Sequence, residues 1–307
     1  MKKKLNIKTV ALLSIITCLM MLVLFNFFNN SPKCYLLSTS NSNLGGNMSS
    51  VKVAEEYKWW NGNSFSSPSA ESTLYIKFDG KSYNVDYLYS RYNNYNSFAT
   101  DYYGNTRGVT FGLNSNTGEL VYINLKSSSF LRSEPKLEDV DNIKETGKEL
   151  AEKYAAMYID LGDYILYSTS QKPYQSSSDS KEKMTFLTYT FVKQINDECS
   201  SAYVSVQITS KGHLASIVIG DLNAFSDENK KQIESFKDIN IDNMVFSKLE
   251  EMTKGLDAPS YEVTDRYYAL TPDGDIVICV TATCSYTYIN SENEKDINTE
   301  VFDFIIK

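Results

Sequence analysis

Val204-Ser205-Val206-Gln207-Ile208-Thr209-Ser210-Lys211-Gly212-His213-Leu214-Ala215-Ser216-Ile217 reads as two strands and the bend between them. Val204, Val206 and Ile208 alternate with polar residues, so one face of the strand is apolar and the other wet. Ser210-Lys211-Gly212 supplies the bend, and the pattern resumes at Leu214. A second stretch has the same plan: Val109-Thr110-Phe111-Gly112-Leu113, a polar bend ending at Gly118, then Glu119-Leu120-Val121-Tyr122-Ile123. With one gap, both run from an alternating strand through a glycine bend into x-Leu-x-x-Ile. An offset of roughly 95 residues points to duplication of a small module.

Working outward, the segment before the first quoted stretch holds the clearest helix. Leu137, Val140, Ile143, Gly147, Leu150, Tyr154 and Met157 recur at spacings of three and four. That stripe predicts a helix from about Leu137 to Tyr158, started by Pro135 and stopped before Gly162. Strands are predicted at Asp163–Thr169, Thr185–Gln194, Ala202–Thr209 and His213–Ile219. The plan repeats with a helix over Ile241–Lys254, stopped by Gly255, then strands at Tyr261–Leu270, Asp275–Asn290 and Asn298–Ile306. Nearer the N-terminus, Ser72–Phe78 and Lys81–Arg91 flank Asp79-Gly80, a two-residue hairpin signal, and are followed by strands at Gly108–Leu113 and Glu119–Leu125.

The expected fold class is therefore α+β, with two or three small modules, each an antiparallel sheet covered by one helix. Their boundaries fall at 51–132 for a β-rich first module, 133–223 for the second and 224–307 for the third. Ahead of them, Thr9 to Phe28 is an uncharged run of the length that crosses a bilayer as a helix. Lys2, Lys3, Lys4 and Lys8 precede it, which predicts a cytoplasmic tail at 1–8 and a transmembrane signal-anchor at 9–28. No small-residue cleavage site ends the run. Asn- and Ser-rich residues 29–50 read as a flexible stalk, placing the rest outside the cytoplasm on a single-pass cell-membrane protein.

The helix rich in Glu, Lys and Ala at Lys144–Tyr158, the strands after it and the hairpin Val206-Gln207-Ile208-Thr209-Ser210-Lys211-Gly212-His213-Leu214 together resemble the PepSY-type, cystatin-like modules of anchored Gram-positive cell-surface proteins. The resemblance is best over Leu137–Asp221 and weaker over Ile239–Lys307. It implies a non-catalytic role, binding or modulating a peptidase, wall hydrolase or sensor kinase of the cell envelope, and it brings no catalytic residues.

Composition narrows the chemistry. The 307 residues carry a formal charge of −8, so a nucleic-acid partner is not expected. One histidine and five cysteines without a Cys-x-x-Cys leave no metal or cofactor motif. His213 lies in a hairpin bend. Gly80-Lys81-Ser82 lacks the glycine a phosphate loop needs, and Ser178 to Lys181 has the Ser-x-x-Lys spacing without its companion motifs. No enzyme is expected. Cys279 and Cys284, five apart in one strand, fall on opposite faces, and a Cys199–Cys279 disulfide has no support in the sequence. The candidate partner surface is aromatic: Trp59 and Trp60 beside Glu55-Glu56, and Tyr87, Tyr89, Tyr92 and Tyr95 in a tyrosine-crowded stretch. A protein partner is the first expectation, and a glycan or cell-wall ligand stacked on these rings is the alternative.

Overall fold

The computed structural model describes residues 32–39, 63–93, 96–126, 143–174, 184–222, 225, 227–234 and 236–307. In chain order the strands are β1 (Cys34–Thr39), β2 (Ser64–Phe65), β3 (Thr73–Phe78), β4 (Lys81–Tyr92), β5 (Ala99–Gly104), β6 (Thr110–Asn114) and β7 (Leu120–Asn124). Helix α1 (Ile143–Ala155) follows, then β8 (Tyr164–Tyr174), β9 (Met184–Ile195), β10 (Glu198–Thr209) and β11 (Leu214–Ile219). Helices α2 (Asp227–Glu234) and α3 (Ile241–Met252) lead into β12 (Asp257–Leu270), β13 (Ile276–Ile289) and β14 (Lys295–Ile306).

The predicted hairpins form. Asp79 and Gly80 both take positive φ, 47° and 71°, the handedness that matches strand twist in a two-residue turn joining β3 to β4. The two hairpins of like sequence become β6–β7 and β10–β11, and they lie side by side. β7 pairs antiparallel with β11 as Ser216 opposite Asn124, Ile217 opposite Ile123 and Val218 opposite Tyr122. The two isoleucines that correspond in the sequence repeat therefore face each other, both fully buried.

That pairing overturns the expected α+β architecture of separate helix-covered modules. Among the described residues strands hold 56% and helices 14%, and all fourteen described strands belong to one sheet. Edges that would have bounded separate modules pair with each other instead, because an open apolar edge is satisfied by the next strand's backbone. The sheet has two parts. β8-β9-β10-β11-β7-β6-β5-β4, with β3 and β2 on β4, makes the larger one, and β1-β14-β13-β12 makes the smaller. A parallel contact of two residues joins them, Cys199 opposite Tyr267 and Ser200 opposite Tyr268.

The membrane anchor is also corrected. A span needs about 20 apolar residues, whereas α1 has 13 and includes Glu145, Lys148, Glu149, Glu152 and Lys153. No helix among the described residues is long and apolar enough to cross a membrane. The run at 9–28, on which the signal-anchor, the single-pass topology and the placement outside the cytoplasm rest, lies outside the described residues, so no described helix supports them. Part of the expected stalk is sheet: β1 pairs with β14 from Cys34 opposite Ile306 to Thr39 opposite Phe302, burying Leu36 and Leu37.

One sheet face carries the helices. α1 approaches β9 and β10 through Gly147, Ala151 and Ala155, four residues apart; a Cβ on Gly147 would stand 2.7 Å from the Tyr189 hydroxyl. In the smaller part, Val245, Leu249 and Met252 of α3 and Ile233 of α2 pack over Phe302, Phe304 and Ile306. Each such side chain contributes about 1.5–3 kcal/mol by leaving water. Asn240 caps α3, its side-chain oxygen accepting from the Asn243 N–H at 3.0 Å. Cys284 joins this core while Cys279 faces the opposite side with Leu37, Val277 and Ile305.

The sheet bends sharply between Cys199 and Tyr203 of β10, where the pairing with β9 skips from Gln194 to Val192. Gly220 fits against the bend. A Cβ there would lie 2.2 Å from the Ser201 carbonyl oxygen and 2.4 Å from the Tyr203 ring. Gly220→Ala is expected to cost about 3 kcal/mol or more in chemical denaturation, because backbone cannot move aside as a flexible side chain can. Gly118→Ala, at φ +73° with open space around it, should cost only about 1 kcal/mol. Equal losses at the two positions would show that the bend tolerates a wider approach.

Candidate functional site

Of the six aromatic residues picked out in the sequence, Trp59, Trp60 and Tyr95 lie outside the described residues. The other three do not form one surface. β4 carries a bulge at Leu88: Tyr87 pairs with Tyr103, yet Tyr89 pairs with Tyr102. One inserted residue sends Tyr87 and Tyr89 to opposite faces. Tyr87 turns to the helix-bearing side, its ring 5.6 Å from that of Tyr103 and its hydroxyl accepting from the Ser67 N–H at 2.8 Å. The same hydroxyl shares a hydrogen bond of 2.8 Å with Ser90, whose own hydroxyl also donates to the buried Asp101 carboxylate. Tyr92 rests against Phe65, ring centroids 6.0 Å apart.

Tyr89 opens a row of rings on the other face. Its centroid lies 5.0 Å from Tyr102 on β5, and Tyr102 lies 5.3 Å from Tyr122 on β7, meeting it edge to face. Between them Gly112 on β6 leaves the gap the rings fill; a Cβ there would be 2.8 Å from that of Tyr122. Arg91, two residues after Tyr89 and so on the same face, sets its guanidinium over the Tyr102 ring at 6.0 Å. Asn93 ties the group together. Its side-chain oxygen accepts from the Tyr102 hydroxyl at 2.8 Å and from Arg91 at 3.4 Å, and its amide donates to Thr100 at 2.9 Å.

This arrangement leaves one demand unmet. The Arg91 Nε is buried and has no hydrogen-bond partner among the described residues, a costly state for a charged donor. Burial holds the Tyr102 and Tyr122 phenols above their ordinary value, so both stay neutral donors across the physiological range. Among the described residues, the buried parts of α1, α2 and α3 all pack on the other face. Sequence reading missed Arg91 and Tyr122 because neither is unusual alone; strand pairing alone brings them beside Tyr89.

The remaining candidates do not assemble catalytic chemistry. His213 sits in the β10–β11 bend, half-buried, its pKa lowered by burial and by Lys211 and Lys81, with Nε2 lacking a partner. The described cysteines are all free thiols, and burial pushes Cys34 up to about 11 and Cys279 well above the ordinary range. No group of three or more His, Cys, Asp or Glu among the described residues is placed to hold a metal ion. Comparison with protein-family models, with curated proteins and with solved structures gives no match.

Asp221 lies in a groove of about 490 Å³ with Tyr158, Phe98 and Met157. Its carboxylate accepts from both the N–H and the hydroxyl of Ser97, clasping the β4–β5 loop to the chain leaving β11. Burial nevertheless raises its pKa, the Ser97 hydrogen bonds opposing only in part. A carboxyl whose folded pKa is raised favours the fold below the unfolded value and loses that contribution as pH rises through the folded value. Asp221→Asn should therefore raise the melting temperature at pH 7, the gain vanishing below about pH 4, where the wild-type carboxyl is protonated in both states. A variant less stable than wild type at pH 7 would show that the Ser97 clasp outweighs the cost of burying the charge.

Proposed function

We propose that the protein acts without chemistry of its own, by binding another protein on the tyrosine and arginine face of β4, β5 and β7. The observation that carries this reading is Arg91: a guanidinium laid on Tyr102, flanked by Tyr89, and left with a buried N–H that lacks an acceptor. Tyrosine and arginine dominate protein–protein contact energies because they bring large area at low entropic cost together with directional hydrogen bonds. The partner segment suited to this face presents a carboxylate to the half-buried Arg91 side chain, whose guanidinium forms charge-assisted bonds with such groups. A non-catalytic binding role is also what the PepSY-type resemblance of Leu137–Asp221 implies.

The glycan alternative is less well served. Pyranose rings stack on open aromatic faces, whereas Tyr89, Tyr102 and Tyr122 turn their faces and edges toward one another.

The test is photo-crosslinking of the full-length chain in cells, with the crosslinking residue placed at Tyr89 or, as a control, at Tyr75, which is 67% exposed on β3. One dominant protein attached at Tyr89 and not at Tyr75 is expected. Arg91→Ala should weaken its capture by at least about 2 kcal/mol, roughly thirtyfold, and Arg91→Lys by nearly as much because the fork is lost. Attachment of wall glycan alone, or equal labelling from both positions, would overturn the reading.

A further inference from the structure

At the bend of β10 the same face sinks into a cavity of about 290 Å³ between the two parts of the sheet. Its walls come from both parts: Tyr167 from β8, Tyr203 from β10 and Tyr267 from β12. Val192 and Val218 add apolar lining. Asp265 is the charged residue of the wall, and no Lys, Arg or His lines it. The neighbouring cation, Arg266, is already engaged by Glu198 in a two-pronged ion pair, Nε at 3.0 Å and Nη2 at 2.6 Å.

The polar inventory of the wall is uneven. Thr190 and Ser205 share a hydrogen bond of 3.1 Å, and Ser200 donates to the Lys193 carbonyl at 2.7 Å. The Ser201 hydroxyl, only 1% exposed as a residue, has no hydrogen-bond partner among the described residues. Asp265 accepts from the Tyr167 hydroxyl at 2.7 Å, which uses one of its roughly four lone-pair directions. The Cys199 thiol on the wall is pushed up by burial and then by the charges of Asp265 and Glu198.

We propose that this cavity binds a small organic cation, an ammonium carried on an apolar or aromatic body, with Asp265 as its counter-ion and Tyr167, Tyr203 and Tyr267 as its aromatic surround. Aromatic rings attract a cation through their quadrupole, most strongly where water is excluded. An anion meets the Asp265 charge with nothing to offset it, and a neutral ligand leaves that carboxylate without an added partner. The volume stands at the small end of ligand sites, which suits a single-ring amine rather than a nucleotide or a peptide. The buried Ser201 hydroxyl offers one further polar contact at the floor.

Titration of the full-length protein with benzyltrimethylammonium, benzyl alcohol and phenylacetate, followed by calorimetry, tests this on the wild type alone. The cation is expected to bind about tenfold more tightly than the neutral and anionic probes. Asp265→Asn should weaken the cation about tenfold and leave benzyl alcohol unchanged, whereas Tyr167→Phe, which keeps the charge, should retain the preference for the cation. Equal affinity for the three probes, no binding of the cation at millimolar concentration, or an Asp265→Asn variant that binds it as well as wild type would each overturn the proposal. Should Asp265→Asn fail to fold, the ranking of the three probes on the wild type decides.

Discussion

Three residue pairs between β7 and β11 hold the two hairpins of like sequence in one sheet, and most of the molecule follows from them. Ile123 opposite Ile217 is the middle pair, with both side chains fully buried under the helix-bearing face. Strand pairing has a period of two, so a slip of one strand by one residue would turn its isoleucine to the other face and bring the neighbouring Tyr122 or Val218 into the core. The seam therefore fixes the register of the whole larger part at once. It also fixes which residues share the outer face, because Tyr122, Asn124, Ser216 and Val218 alternate with the buried pair on both sides of it.

The second constraint is the bend in β10. A strand joined along one edge first by β12 and then by β11 cannot stay straight, and the skipped pairing between Cys199 and Tyr203 absorbs the turn. The two-residue parallel link is too short to lock the smaller part by backbone alone. Arg266 with Glu198 and Tyr167 with Asp265 reinforce it from the side chains. Exposed pairs of this kind are individually worth about 1 kcal/mol or less, so their geometric role outweighs their energetic one. They orient β12 against β10 and keep the cavity walls at a set separation.

Much of the local structure was legible in the sequence. Asp79-Gly80, the alternation of Val204 to Ile217 and the Ile241 helix read correctly, and the Gly147 stripe did so over Ile143–Ala155, with Met157 exposed beyond the helix end and Leu137 and Val140 outside the described residues, because each depends on neighbours within a few residues. The same local reading failed where pairing choice decided the outcome. An alternating strand looks identical at a module edge and in mid-sheet, so nothing near Ile123 tells that Ile217 completes it. β5 went unread because Thr100, Asp101 and the residues around them look like a loop. All six of its residues are nonetheless buried, with Asp101 satisfied by Ser90 and Thr100 by Asn93. β1 hid within an Asn- and Ser-rich stretch. Tyr87 and Tyr89 part because of the bulge at Leu88, which no composition or period announces.

Face assignment finally explains why the site is polar and aromatic rather than apolar. A sheet covered by helices on one side needs its other side wettable, and tyrosine meets both needs, its ring packing on a neighbour while its hydroxyl stays bonded. Tyr89, Tyr102 and Tyr122 do so across three strands with Gly112 making room between them. Such a row is stable without any ligand. Arg91 is not required for that stability, since Asn93 and Thr100 already tie Tyr102 in place. A guanidinium held over that ring keeps one buried donor unanswered among the described residues and gains only the ring contact and a long hydrogen bond to Asn93 in return, so a carboxylate brought by a partner to the rest of the side chain adds what the fold does not supply.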